Sequence, residues 1–395
     1  NECQKLPISS QTWKKLKIDE HLRDTTTSQN LTLSKYAAIH NGGNFICGIG
    51  EHCNAGQLCH PVKAPAWQVL YAVQEYNNFV NRMVDSINYS LSQVQALSAS
   101  MVNDLFPEVT DSRFVVNLKW IFTDMYRGIA YGAMTLFISI WLNIELTTAI
   151  VNILLLTAVG AGLAAWIQGA PETATFTSWT ALSFYIAQAQ QSLTANIGQA
   201  MERSLREPLS TENGIGKILQ GGAFFQKVSK DQEMGIMEES ILKIFQGRLM
   251  ARMLRQQNAY VIISQSDCQG LNKKDSKNGD SKLFYCDAKE KLYCSKSAQK
   301  KTVNEIHGAE AIVKKYNFTA EEITKSSWEC QKKYGVFEHD SFAKINGTYP
   351  EEVTNKDCIF NLPVCDTRLD AVRELKLGKH KTTTVACRIG AKLPI

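Results

Sequence analysis

The chain contains, at Gly128–Gly169, the apolar run GIAYGAMTLFISIWLNIELTTAIVNILLLTAVGAGLAAWIQG. Its one formal charge is Glu145, and a helix that is apolar on every side must be buried in protein or in lipid. Two segments, Ile129–Ile144 and Leu146–Ile167, approach the length of about 20 apolar residues that a membrane-spanning helix needs. The polar residues between them, from Asn143 to Glu145, predict the turn of a helical hairpin.

Three interpretations of this hairpin stay open. It is the buried centre of a helical bundle, or it is shielded in a soluble form and released at a membrane or at low pH, or it spans a membrane permanently. Asn143 and Asn152 are costly in hydrocarbon, which disfavours the permanent span. If the hairpin inserts, the residues expected to enter the lipid are Leu136, Ile140, Trp141, Leu154, Leu155, Leu156 and Trp166.

A second pattern, from Ala66 to Phe106, predicts one long helix with two apolar seams at heptad spacing. The seams consist of Leu70, Asn77, Val84, Leu91, Ser98 and Leu105, and of Val73, Val80, Ile87, Val94 and Met101. A helix of this length, about 60 Å, must pack on other long helices. Packing within the chain is favoured over a coiled-coil dimer. The polar residues Asn77 and Ser98 are predicted to fix register or partner number.

Further helices are predicted from about Phe176 to Arg206 and from Asp231 to Ser264, because apolar residues recur there at three- or four-residue spacing. After Ser266 the composition becomes polar. Shorter helices are expected at Val303–Lys315 and Leu369–Leu375. Strands are expected in LFYC, KLYC and TTTVACRI.

The expected fold is therefore mainly α: a long-helix bundle around the apolar hairpin, with a Cys-rich N-terminal cap and a small disulfide-bonded α+β C-terminal module. The expected domains are an irregular Cys-rich cap at 1–65, a helical bundle with the hairpin at 66–266, and a basic Cys-rich module at 267–395. Pro61 and Pro65 and several glycines are the reason for expecting an irregular cap.

The eleven cysteines fall into two groups separated by about two hundred residues without any. They are Cys3, Cys47, Cys53 and Cys59, and then Cys268, Cys286, Cys294, Cys330, Cys358, Cys365 and Cys387. Clustering at the two ends predicts disulfides, and hence a secreted, extracellular protein. Because the count is odd, one thiol is free or pairs with another chain. His52 and His60 lie beside cysteines, but disulfides are favoured over zinc at that point.

Two other features agree with secretion. The chain opens NECQKLP, as a mature N-terminus does after removal of a signal peptide. Four N-glycosylation sequons occur, which begin at Asn30, Asn88, Asn317 and Asn346.

Charge and motifs exclude several functional classes. The net charge of +5 belongs entirely to residues 267–395, which hold 23 Lys and Arg against 18 Asp and Glu. That region is rich in Lys and poor in Arg, which is typical of a solvated surface, so no nucleic-acid partner is predicted. GIGK at Gly214–Lys217 lacks the upstream glycine and the following Ser or Thr of a phosphate loop. No cofactor, metal or catalytic residue is expected, and the protein is predicted not to be an enzyme.

The N-terminal residues carry a resemblance. The segments ECQKLPIS, NFICGIGEHCNAGQLCHPVKAPAWQVLYAVQEYNNFVN and LSASMVNDLFP resemble an uncharacterised family of secreted fungal proteins, most specifically at CGIG-x-x-CNAGQLC-x-PV. The resemblance implies a signal peptide, an extracellular fungal setting, long helices and an apolar central hairpin. It implies no activity and no catalytic residues.

These observations favour a secreted non-enzymatic protein that acts by contact, toxin- or effector-like, at a lipid membrane. The alternative is a self-assembling extracellular structural or surface protein, a homo-oligomer joined through helix 66–106 or an intermolecular disulfide. A second alternative is an unrecognised cell-wall hydrolase.

Overall fold

The computed structural model describes residues 3–27, 30–105, 178–226, 232–264, 284–286, 292–297, 306–335, 358–377 and 382–395. These residues are mainly helical, as predicted, with one small sheet. They divide into two compact units. The first unit comprises the described residues up to Leu91 and from Gln188 to Ile241, and the second unit comprises the rest.

The N-terminal region is less irregular than predicted. Three short helices precede the cysteine-rich loops: α1 (Ser10–Lys15), α2 (Ile18–Thr27) and α3 (Leu33–Ile39). The Ser9 side chain caps α1 by accepting a hydrogen bond from the backbone N–H of Thr12. Trp13, Ile18 and Tyr36 are fully buried, so burial of a few large side chains stabilises helices too short to persist alone. The prediction of an irregular segment was therefore wrong up to residue 39.

Three long helices follow within the described ranges: the heptad pattern predicted the first, and the three- or four-residue spacing of apolar residues predicted the other two. They are α4 (Ala66–Leu105) and α5 (Ser178–Arg206), then the short α6 (Ile215–Ile218), a 3₁₀ turn at Gln220–Gly222, and α7 (Gln232–Gln256). Every member of both predicted seams of α4 is at most 4% exposed within the single chain. This confirms the long helix and its buried face. In the first unit Tyr76 and Phe79 of α4 pack on Phe224, with ring centroids 5.3 and 5.4 Å apart.

Helix α7 ends earlier than predicted. The chain leaves the helix through Asn258, which has a positive φ of 54°, and continues as a strand instead of reaching Ser264 as a helix. The strands are β1 (Ala259–Ser264), β2 (Phe284–Cys286), β3 (Leu292–Ser297) and β4 (Val364–Asp366). The sheet order is β2-β3-β1-β4, with β1 antiparallel to β3 and parallel to β4. The β-branched run AYVIIS explains the strand, because such side chains fit a buried pleated surface.

Four more helices lie in the described part of the second unit: α8 (Ala309–Lys314), α9 (Ala320–Tyr334), α10 (Asp370–Leu377) and α11 (Thr383–Gly390). The predicted strands LFYC and KLYC are confirmed as β2 and β3. The predicted strand TTTVACRI is wrong, because it forms α11. Thr382 caps this helix by accepting a hydrogen bond from Val385 N, and Ala386 and Cys387 face the core.

Among the described residues, four disulfides confirm the prediction that both cysteine groups form disulfide bonds. The bonded pairs are Cys3–Cys59, Cys47–Cys53, Cys330–Cys358 and Cys365–Cys387. The remaining cysteines within residues 1–395 are Cys268, Cys286 and Cys294. Because three thiols cannot all pair with one another, at least one of them lacks a disulfide partner within this chain.

Candidate functional site

Buried amide side chains interrupt the apolar seam of α4. Asn77 is fully buried and Asn81, one turn further along, is 8% exposed. A buried amide costs free energy unless its oxygen and its nitrogen both find partners. The sequence suggested that Asn77 sets register between helices. The structure shows instead that both amides bind the backbone of a loop some thirty residues earlier.

The loop is held at both its N–H and its carbonyl groups. Gly48 N donates to Asn77 Oδ1 and Gly50 N donates to Asn81 Oδ1, each over 2.8 Å. In return Asn77 Nδ2 donates to the Glu51 carbonyl oxygen at 2.7 Å, and Asn81 Nδ2 donates to the Gly48 carbonyl oxygen at 3.0 Å. These reciprocal hydrogen bonds fix the loop backbone on the helix.

A disulfide closes the same loop. Cys47 and Cys53 are bonded across a sequence separation of 6, and a second disulfide joins Cys3, near the N-terminus, to Cys59, six residues after Cys53. Both Cys53 and Cys59 are therefore used in disulfides, which agrees with the choice of disulfides over zinc. Gln74 adds a further tie, because its Oε1 accepts from Ala55 N at 2.8 Å. We call residues 46–53 the pinned loop.

The pinned loop and the end of α3 present aliphatic side chains to solvent. Ile46 is 66% exposed, Ile49 is 39% exposed and Ile39, the last residue of α3, is 55% exposed. Ile49 lies over Gly198 of α5, where an added Cβ would stand 3.5 Å from its Cγ1. A single exposed aliphatic side chain is common on protein surfaces. Three exposed isoleucines within eleven residues of sequence are more than such scattered exposure, and two of them lie on a backbone fixed by hydrogen bonds and a disulfide.

A cluster of titratable rings lies between α2 and α3. His21 Nε2 and the hydroxyl of the buried Tyr36 are 2.8 Å apart, and the Tyr36 and His40 ring centroids are 4.7 Å apart. Burial raises the pKa of Tyr36 well above its ordinary range. Burial lowers the pKa of His21, with a further lowering by His40 and an opposing effect of Asp24. Burial also lowers the pKa of His40. Both imidazoles are therefore kept neutral near pH 7.

The second unit contains a shallow groove of about 630 Å³ beside the end of α4. Asp104 accepts hydrogen bonds from Lys315 Nζ and from the Tyr316 hydroxyl, each at 2.7 Å. Burial alone would raise the pKa of Asp104, but these two hydrogen bonds and the charge of Lys315 hold that pKa below its ordinary value. Glu310, the other carboxylate of the lining, is bonded to Lys314. Each carboxylate is paired with a lysine, so this groove does not offer the two cooperating carboxyl groups of a glycoside hydrolase.

The predicted membrane-insertion residues lie outside the described residues, as does the whole run Gly128–Gly169. None of the helices formed by the described residues is both long enough and apolar enough to cross a membrane. In the same part of the chain, no group of three or more His, Cys, Asp or Glu side chains is placed to hold a metal ion.

The sequons differ in their surroundings. Asn30 and Asn317 are exposed and have positive φ values of 49° and 60°. Asn88 lies inside α4, where its Oδ1 accepts from Gln190 Nε2 at 3.2 Å and from Thr194 Oγ1 at 2.9 Å. Asn346 lies outside the described residues. Occupancy of these sites stays a prediction, and Asn88 is the one whose amide takes part in packing between helices.

A family model described as a domain of unknown function, DUF7872, matches residues 168–395. The chain belongs to this family. No curated protein and no solved structure matches the chain. The DUF7872 match contains α5 to α11 and the sheet, whereas the pinned loop and α4 precede it. The description of this family names no activity.

Proposed function

We propose that this chain is a secreted, non-enzymatic protein that acts by contact with a lipid membrane, in the manner of a toxin or effector. The fungal extracellular setting is part of the proposal and comes from the resemblance of the N-terminal segments. Four disulfides support secretion, because disulfides form and persist in oxidising compartments. The proposal keeps the predicted architecture, a bundle that shields the hairpin Gly128–Gly169 until a membrane or low pH releases it.

The observation that carries the proposal is the pinned loop. A chain segment closed by a disulfide and bonded through four backbone groups loses little conformational entropy when it meets a partner. The most exposed aliphatic side chain of this loop is Ile46, at 66%, and moving an isoleucine side chain from water into hydrocarbon contributes about 1.5–3 kcal/mol. Ile39 adds a second exposed aliphatic group nearby in the sequence. These exposed isoleucines support the proposal as the point of first contact with lipid, ahead of the longer apolar segment Gly128–Gly169.

Dye-loaded vesicles test this function. The wild-type protein is expected to float with vesicles and to release dye, more strongly at acidic than at neutral pH. Ile46→Ser is expected to weaken both effects several-fold. Tyr89→Ser is the matched control, because Tyr89 is a 49% exposed residue of the same unit that lies two turns beyond Asn81 on α4. If wild-type protein neither floats with lipid nor releases dye at any pH, the proposal is wrong.

Self-assembly is the second candidate, and one observation favours it. At least one of Cys268, Cys286 and Cys294 lacks a disulfide partner within residues 1–395, because three thiols cannot all pair with one another, and a bond between two copies would use this odd thiol. Mass measurement with and without reductant tests this candidate. A dimer that dissociates on reduction, and that is lost in one of the three Cys→Ser variants, supports it, whereas a monomer under both conditions contradicts it. The apolar seam of α4 is not expected to form the contact between two copies, because it is already buried within one chain.

A further inference from the structure

The positive charge of the chain is concentrated in one short segment. Residues 366–395 hold seven Lys and Arg against three Asp and Glu, a surplus of four out of the net +5 of the whole chain. This segment contains α10 and α11. The last third of the chain, residues 267–395, carries the whole surplus. The finer distribution places most of it on and between these two helices.

The inner faces of α10 and α11 form a core with the sheet. Val372, Ala386 and Cys387 are fully buried together with Tyr260 of β1 and Cys365 of β4. The Cys365–Cys387 disulfide ties α11 to β4, with Cα atoms 5.6 Å apart. The two helices are therefore fixed in position by the fold of the second unit.

The end of α11 packs against the start of α10. A Cβ added at Gly390 would stand 2.5 Å from the Ala371 carbonyl oxygen, so only glycine permits this approach. Leu369, immediately before α10, and Ile389, in the last turn of α11, consequently lie at the same end of the helix pair. Each is 55% exposed.

The turn that presents Leu369 is rigid. Thr367 N donates to the Ile263 carbonyl oxygen of β1 at 3.0 Å. Arg368 forms a two-pronged ion pair with Asp366, in which both side chains are largely buried. The Arg368 side chain is therefore paired within the turn, and the backbone that carries the exposed Leu369 is fixed by these bonds.

Exposed cations accompany the two aliphatic side chains. Arg373 follows Leu369 by one helical turn, Arg388 precedes Ile389, and Lys392 lies three residues beyond it, all exposed. Arg373 pairs with Asp370, but both side chains are more than half exposed, so solvent screens this pair. We call Leu369, Arg373, Arg388, Ile389 and Lys392 the basic corner. The sequence adds Lys376 in the last turn of α10, and Lys379 and Lys381 between α10 and α11.

We propose that the basic corner docks on an anionic lipid surface. The inference rests on the proposed membrane function and adds the class of lipid and a second point of contact, in the DUF7872 region. Cations near an anionic bilayer and aliphatic side chains that enter its interface act together, since one signal alone binds weakly and reversibly. An acidic polysaccharide would engage the cations but offers no apolar phase for Leu369 and Ile389, so the exposed aliphatic pair favours lipid.

Flotation of the full chain with two kinds of vesicle tests the inference. Vesicles of phosphatidylcholine alone are compared with vesicles that also contain phosphatidylserine. Wild-type protein is expected to bind the anionic vesicles more tightly and to lose this advantage at high salt. Arg373→Gln/Arg388→Gln is expected to weaken binding to anionic vesicles about 25-fold, because each cation near such a surface contributes about fivefold. Lys314→Gln/Lys332→Gln removes the same charge from α8 and α9 and is expected to leave binding nearly unchanged.

The outcomes separate this inference from the proposed function. Equal binding of wild-type protein to both vesicles leaves the membrane function standing and overturns the anionic docking surface. No binding to either vesicle overturns both. Leu369→Ser/Ile389→Ser is expected to weaken vesicle binding and to leave binding to heparin unchanged. If this variant binds vesicles like wild type while the arginine variant loses heparin, the corner is a polyanion site and not a lipid site. Circular dichroism of each variant confirms that the fold is intact.

Discussion

Replacing Asn77 with alanine tests whether this buried amide holds the pinned loop or sets the partner of a coiled coil. The change removes the hydrogen bonds to Gly48 N at 2.8 Å and to the Glu51 carbonyl oxygen at 2.7 Å. The half-buried Gly48 N–H is then left without this partner, which costs about 1–3 kcal/mol, with the lower end expected because water reaches part of the loop. The Glu51 oxygen keeps a longer bond from Asn81 at 3.3 Å, so its loss is about 1 kcal/mol.

Helix propensity opposes this loss slightly, because alanine is better than asparagine in a helix by about 0.6 kcal/mol. The expected net destabilisation is about 1.5–3.5 kcal/mol, a large part of the stability of a typical domain. If Asn77 instead set the partner number of a coiled coil, Asn77→Ala would be expected to raise the free energy of unfolding. The reason is that a buried polar residue at a seam position fixes partner number at a cost in stability.

Urea unfolding followed by circular dichroism measures the change, and sedimentation measures the mass. Asn78→Ala is the matched control: it makes the same substitution one residue along, where Asn78 Nδ2 donates a longer hydrogen bond of 3.5 Å to Glu75 Oε1. Its free energy of unfolding is expected to stay within about 0.5 kcal/mol of wild type. Amide exchange is expected to accelerate at Gly48 in the Asn77 variant. An Asn77→Ala protein as stable as wild type, or one of altered mass, would refute the loop-clamp reasoning.

Three further predictions concern pH, backbone and glycosylation. Folding lowers the pKa values of His21 and His40, so the unfolded state binds more protons below about pH 6.5 and the free energy of unfolding falls as the pH drops below that value. His21→Gln/His40→Gln is expected to flatten this dependence of the unfolding free energy on pH, as measured by urea titrations at several pH values. An unchanged pH dependence in this variant contradicts the prediction. Gly222→Ala is expected to lower stability by more than about 2 kcal/mol, seen as a reduced Tm, because φ is +85° and the new Cβ would stand 2.8 Å from Trp13. Mass spectrometry of glycopeptides is expected to find Asn88 unmodified, since its amide packs between helices, and a glycan there would show that this packing is absent.

Local pattern was enough for the long helices. The heptad spacing of α4 is a repeating signal within one segment, so its bounds and its buried face followed from the sequence. The purpose of Asn77 did not follow, because its partners lie in the Gly48–Glu51 loop and only the tertiary fold brings them together. The seam pattern therefore identified Asn77 as an unusual position, but the role predicted for it, fixing helix register or partner number, was wrong. The CGIG glycines and the amides one turn apart on α4 were the available signal.

The errors have local causes. α11 reads as a strand because Thr and Val favour strands, yet Thr382 caps it and the Cys365–Cys387 disulfide fixes it against the sheet, so tertiary context overrides propensity. The predicted helix Asp231–Ser264 included β1, because the apolar residues of this strand continue the helical pattern of α7. The left-handed backbone conformation at Asn258 separates the helix from the strand. The basic corner could be anticipated from charge alone, but its exposed aliphatic pair required the structure.

Photocrosslinking to lipid tests the central claim most directly. Wild-type protein is incubated with anionic vesicles whose acyl chains carry a photoactivatable diazirine, and labelled peptides are identified by mass spectrometry. The account predicts adducts on the peptide that contains Ile46, on peptides of Gly128–Gly169 and on the peptide that contains Ile389. Adducts absent from all three, under conditions where a control membrane protein is labelled, would contradict it.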